Sequence, residues 1–185
     1  GANNATLDGF IIREGVADGP SPLNDGGGMY NDAVAGLTVA NCVFISNKAK
    51  NGGGGMNNRS CSPTVTACFF VHNQASFGGA MHNINSSYPK VTNCVFAHCQ
   101  ALQLESHVDY PSGGALCNSE SSRPDLVNCT FTQNAAKWGG AVANYRNCNR
   151  LTLKNCVLWN DNASNGKEIY FTERQEKAWV EYDHF

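Results

Sequence analysis

Four side chains could carry proton transfer: His82, Glu105, His107 and Asp109. A histidine changes charge near neutral pH, and a neighbouring carboxylate can orient it or exchange a proton with it. The three residues at 105, 107 and 109 would equally suit a solvated loop. A second set could bind without reacting. Tyr30, Asn57, Phe77, His82, Tyr110 and Trp138 combine flat aromatic faces with amide and imidazole groups. Such faces pack on the apolar side of a sugar ring while the polar groups reach its hydroxyls. No metal centre is expected. No C-x-x-C pair occurs, and the acidic nonapeptide repeats that bind calcium in β-rolls are absent. No cofactor is predicted, and calcium is left open without support.

These residues must be positioned by a repeat, because the chain is self-similar almost throughout. The unit reads G-G-x-φ-x-N, a turn, T-V-x-N-C-x-F-x-x-N-x-A, and a second turn. Cys42, Cys68, Cys94, Cys129 and Cys156 recur at spacings of 26, 26, 35 and 27 residues by subtraction. Phe44, Phe70, Phe96, Phe131 and Leu158 follow two residues later. After the glycines come Met29, Met56, Met81, Leu116, Val142 and Ile169, then Asn31, Asn58, Asn83, Asn118 and Asn144. Leu7, Phe10 and Ile12 sit where Val39, Cys42 and Phe44 sit one turn later.

A coil of about 26 residues without helical periodicity suits three short strands joined by bends. Stacked coils pair strand on strand in parallel, about 4.8 Å apart, and like residues fall on like residues. The prediction is an all-β, right-handed parallel β-helix of about six coils, a rod roughly 30 Å long on that spacing, with a C-terminal cap. A single coil cannot bury its own apolar face, so stacking supplies the core. Cys and Phe, two apart, point inward together with the Val or Leu of the T-V element. The glycines permit tight bends and close approach. The Asn columns pass side-chain hydrogen bonds from coil to coil.

Charge and cysteine usage narrow the function classes. The 185 residues carry a formal charge of −2, which gives no basic footprint for nucleic acid. No apolar run is long enough to span a membrane as a helix. Five of the nine cysteines lie in one inward column, where in-register neighbours suit disulfide torsion badly. They read as buried thiols acting as small hydrophobes. Cys99 takes the place of Asn47, Asn73 and Asn134 in what reads as an outer Asn column. Cys61, Cys117 and Cys148 read as lying in different coils and positions.

The elements Gly78-Gly79-Ala80-Met81-His82-Asn83 and Gly113-Gly114-Ala115-Leu116-Cys117-Asn118, with Phe70-Val71-His72-Asn73 and Phe131-Thr132-Gln133-Asn134, resemble polymorphic outer membrane protein repeats of the pectate-lyase-like superfamily. Asn155-Cys156-Val157-Leu158-Trp159-Asn160, followed by Glu168-Ile169-Tyr170, resembles a late coil of such proteins. The resemblance implies a β-helix in a bacterial exported or cell-surface protein, outer-membrane associated. It leaves lyases, hydrolases, adhesins and spacers all open. Lyases of that superfamily use a Lys or Arg base on the sheet face, and none stands in the outward positions of the glycine strand. Arg59, Arg123, Arg146 and Arg150 lie in the following bend.

Two irregularities interrupt the repeat, an insertion over 102–112 and a shorter one over 20–25. Both precede a glycine strand, so both loops should leave the same edge of the rod. They would wall a groove over the outward residues Tyr30, Asn57, His82, Cys117, Ala143 and Tyr170. Phe77 and Trp138 should stand level with Ser112, on the coils before and after it.

The chain reads as one β-helix domain over 1–185: a partial coil and loop over 1–26, regular coils over 27–166, and a last coil or cap over 167–185. In that cap Ile169, Phe171, Trp179 and Val180 would face in, and Glu173, Arg174, Glu176 and Lys177 out. The sequence starts partway through a coil, so it reads as a piece of a longer protein whose uncapped N-terminal coil invites end-to-end association. The leading functional expectation is a non-catalytic, adhesin-like extracellular module that presents a face to a polysaccharide or a surface protein, without nucleic-acid binding or membrane insertion. A polysaccharide lyase or glycoside hydrolase with its groove beside the glycine strand is second, and a structural spacer third.

Overall fold

The structure is a computed structural model and describes residues 3–104, 110–148 and 150–171. Glu105, His107 and Asp109, and the cap expected beyond Phe171, lie outside the described residues. All regular structure within them is strand, arranged as four parallel six-stranded sheets that run up the rod as four walls.

Each coil carries three strands of three or four residues and a fourth segment that is shorter in the first four coils. In the second coil these are Thr38–Ala40, Val43–Ile45, Lys48–Ala49 and Met56–Arg59. The short segment has two residues in the first four coils and four in the last two, Ala135–Trp138 and Asn162–Asn165. Single residues in the left-handed region make the corners. Asn41, Asn93, Asn128 and Asn155 (φ 50 to 55°) turn the chain between the first two walls. Ser46, His72, His98, Gln133 and Asn160 turn it into the third. Asn tolerates this conformation better than most residues, which accounts for its recurrence in T-V-x-N.

Registers follow the repeat. Val39 pairs with Val65, Phe44 with Phe70, and Met56 with Met81, each one coil on. Leu7 and Ile12 take the places opposite Val39 and Phe44, as the spacing predicts. The rings of Phe44, Phe70, Phe96 and Phe131 stack 4.7, 5.0 and 4.8 Å apart, within 8° of parallel. Strand spacing imposes that distance, and full burial of each ring contributes about 1.5–3 kcal/mol. The Cys column lies beside it. Cys42, Cys68 and Cys94 each donate Sγ–H to a carbonyl two residues back, at 3.0 to 3.2 Å. All nine cysteines are free thiols.

Two glycines per coil serve different ends. Gly53 has φ +66°, a conformation that strains any residue with a Cβ. Gly54 packs so closely on the next coil that a Cβ would collide with the Gly79 carbonyl and the Gln74 backbone. The glycine wall consists of Met29–Asp32, Met56–Arg59, Met81–Ile84, Leu116–Asn118, Val142–Asn144 and Ile169–Phe171. Behind it the Asn column runs unbroken. Asn31, Asn58, Asn83 and Asn118 each donate Nδ2–H to the Oδ1 of the next rung, all at 2.9 Å.

Two columns differ from the sequence reading. Asn47, Asn73, Cys99 and Asn134 are fully buried, so that column is interior rather than outer. The left-handed corner residue just before each rung breaks the two-residue alternation and swings the side chain inward. Cys61 and Cys148 share a column with Ser87 and Ser122 instead of occupying unrelated positions. Ser87 Oγ accepts from the Cys61 amide, and Ser122 Oγ from the Ser87 amide. The Cys148 thiol meets the Ser122 backbone above them.

Candidate functional site

The outward row of the glycine wall is in register as expected: Tyr30, Asn57, His82, Cys117, Ala143 and Tyr170 pair successively. Phe77, Ser112 and Trp138 form a second row beside it, joined by bridges that begin at Gly52. The two rows do not frame an open groove. Asn57 is 1 % exposed, His82 3 % and Cys117 0 %. Phe77 lies flat against His82, with centroids 6.0 Å apart, and its other neighbour is Tyr145 at 6.4 Å. Phe77 and Trp138, alternating with Gly52 and Ser112 in the flanking row, reach His82 and Tyr170 of the outward row, since coils about 4.8 Å apart bring such rings within contact of neighbouring rungs. The expected groove floor is therefore the buried layer of a second, outer core.

A chain of polar contacts crosses that layer. Asp25 Oδ1 accepts from Asn51 Nδ2 (2.9 Å), the Gly52 amide (2.8 Å) and Asn57 Nδ2 (3.3 Å). Asn57 Nδ2 also lies 3.2 Å from His82 Nδ1, and His82 Nε2 lies 3.0 Å from Ser119 Oγ. The Asp25 carboxylate can only accept, so it orients the Asn57 amide with its NH2 toward both Asp25 and His82. Nδ1 of His82 must then accept, the proton sits on Nε2, and the imidazole donates to Ser119. A histidine that activates a hydroxyl works in the opposite sense. Burial also lowers the His82 pKa to about 4, so the ring stays neutral near pH 7. Here the imidazole organises structure.

The remaining aromatic candidates meet solvent. Tyr110, at the base of the insertion, is 49 % exposed. Its ring meets Trp138 edge-on at 5.6 Å, and Trp138 meets Tyr170 at 4.6 Å. The Lys137 ammonium stands 5.4 Å from the Tyr110 centroid. This gives a half-exposed aromatic shelf with a cation at its rim. Tyr30 lies half-buried at the far end of the row.

Of the sequence-derived candidates, the structure joins Asn57, Phe77 and His82 in the buried layer, and Tyr110 and Trp138 in the shelf. Sequence reasoning missed Asp25, Ser119 and Tyr145, which complete the buried layer, and Lys137, which completes the shelf. Asp25 lies in the short irregularity over 20–25, the one signal that could have found it. Among the described residues no group of three or more His, Cys, Asp or Glu could hold a metal.

Two further surface features lie elsewhere. Ile11, Phe69 and Val157 are exposed in one outward row of the Cys–Phe wall, with Val43, Val95 and Thr130 between them. A shallow cavity of about 230 Å³ is lined by Val16, Ala17, Asp18, Lys48, Lys50 and Leu104. It is below the roughly 300–1,000 Å³ of small-molecule sites.

Residues 1–180 match the family model described as right handed beta helix region. No curated protein and no solved structure matches the chain.

Proposed function

The chain belongs to the right-handed β-helix family, and from that premise we propose that it is a non-catalytic module of an exported, cell-surface protein, built to present a binding face to a polysaccharide or a surface protein. The observation that carries this reading is the sense of the Asp25–Asn57–His82–Ser119 chain. It holds the one described histidine of the glycine wall neutral, buried and donating. The binding face is the shelf of Tyr110 and Trp138 with Lys137 at its rim. An exposed ring beside a cation suits a sugar carrying a carboxylate or sulfate. The resemblance to polymorphic outer membrane protein repeats supports the surface location, outer-membrane associated, and the adhesin-like role.

The test is incubation of the purified chain, with and without calcium, against acidic and neutral polysaccharides. Unsaturated products and new reducing ends are followed together, and binding is measured on the same panel. Binding without turnover is expected. Turnover on any substrate would replace this reading with a lyase or hydrolase and direct attention to Glu105, His107 and Asp109. Neither binding nor turnover would leave a structural spacer.

A further inference from the structure

The interior column at the corner before the short wall repeats one hydrogen bond in four successive coils. The side chain donates to a carbonyl of the preceding coil: Asn47 to Ile12 at 3.0 Å, Asn73 to Phe44 at 2.8 Å, and Asn134 to Phe96 at 3.0 Å. Cys99 keeps the pattern through Sγ, 3.4 Å from the Phe70 carbonyl. The Oδ1 of each Asn accepts from the backbone below it: Asn47 from Gly15, Asn73 from Asn47, and Asn134 from Cys99.

Asp161 is the next rung. Its Oδ1 behaves as an Asn oxygen, accepting from the Asn134 amide at 2.7 Å and from Asn134 Nδ2 at 2.8 Å. Its Oδ2 therefore stands where each Asn carries its NH2 group. By register the carbonyl due at that place is that of Phe131, which pairs with Phe96. An acceptor thus occupies a donor's position. Asp161 is 4 % exposed, and among the described residues its Oδ2 has no donor. Oε2 of Glu168, whose side chain reaches Asp161, is buried and without a donor too. The two carboxyl groups interact, and each has a buried oxygen without a donor among the described residues, so a proton on Asp161 would supply a donor that the site lacks.

We propose that Asp161 is a proton-carrying rung: its carboxyl O–H takes the place of the amide N–H of the Asn column, the Glu168 side chain beside it favours that protonated form, and loss of the proton loosens the last described coil, making that coil a pH-responsive latch. The acid is raised from 3.8 to about 7, by burial first and by Glu168 as well, against the lowering effect of the Asn134 hydrogen bonds. Among the described residues, the other ionisable groups on the packed elements do not offset this. Burial raises the Cys99 thiol to about 12, so it is uncharged. The Tyr170 phenol is raised as well and stays neutral. Lys137 on the short wall and Lys167 beside Glu168 face solvent. An acid whose folded pKa lies above its unfolded one destabilises the fold as pH rises. The coil is tightest below about pH 4, loosens up to about pH 7, and changes no further above that.

The test is Asp161→Asn in the full chain. Amide hydrogen exchange is read over residues 157–171 at about pH 5 and about pH 8, corrected for intrinsic exchange. In the wild type, protection should fall roughly tenfold or more between the two. In Asp161→Asn it should no longer fall as pH rises and should exceed the wild type at the higher pH. Glu168→Gln should move the wild-type transition to lower pH. The proposal is overturned if Asp161→Asn keeps the pH dependence or loses protection at the higher pH. An unmoved transition in Glu168→Gln would remove Glu168 from it.

Discussion

Phe70 lies 4.7 Å from Phe44, with the two rings within 4° of parallel and both fully buried. Phe69, one residue earlier, is half exposed on the outer face of the same strand. Adjacent residues of identical type thus make different contributions. Phe70→Ala should cost about 3–5 kcal/mol, from lost transfer energy and the cavity between Phe44 and Phe96. Phe69→Ala should stay within about 1 kcal/mol. Urea unfolding of the two variants measures the difference, and equal losses would refute the inward assignment of the even-numbered ring.

The Asn column behind the glycine wall is a chain of buried amides in which Asn58, Asn83 and Asn118 each accept from one neighbour and donate to the next. Asn83 accepts from Asn58 and donates to Asn118. Asn83→Ala leaves one donor and one acceptor unpaired, each at about 1–3 kcal/mol. Asn144, at the far end of the column, accepts from Asn118. Equilibrium unfolding of Asn83→Ala measures that loss, and a change below about 0.5 kcal/mol would refute the buried column.

His82 gives the fold an acid sensitivity opposite in sign to that of Asp161. Its folded pKa of about 4 lies below the ordinary imidazole value of 6.5. Between these values the unfolded chain binds a proton that the native state refuses. Stability from this group is complete above about pH 6.5 and declines as pH falls toward 4, by roughly 3 kcal/mol in all. His82→Asn should flatten that acid limb while lowering stability at neutral pH, because the stacking on Phe77 is lost. An acid limb of undiminished slope in His82→Asn would show that the ring is not the group responsible.

The shelf and the buried layer separate under substitution. Tyr110→Ala removes an exposed ring and should weaken binding of an acidic polysaccharide roughly three- to tenfold with little change in unfolding. Asn57→Ala should do the reverse, since Asn57 is buried between Asp25 and His82. Calorimetric titration and thermal unfolding of both variants would distinguish the two. Undiminished binding by Tyr110→Ala would move the binding face elsewhere on the rod.

The sequence by itself determined the stacking. Cys42, Cys68 and Cys94, with Phe44, Phe70 and Phe96, recur at one period, and parallel strands place residues of equal phase on one another. Coil number, register, the Asn–Asn bonds behind the glycine wall, and the alignment of Phe77 with Ser112 and Trp138 all follow from that. Only the tertiary structure decided which way each column faces after a corner. Phe44 and Asn47 are three residues apart, and strict alternation would put them on opposite sides. Both are inside, because Ser46, at φ 55°, resets the alternation. Nor could spacing tell that His82 is covered. Its burial depends on Phe77 beside it, with Tyr145 behind that ring, and its tautomer on Asp25, 57 residues away by subtraction. Periodicity reports what lies above and below a residue within its own column, whereas exposure and protonation are set by side chains that arrive from other columns.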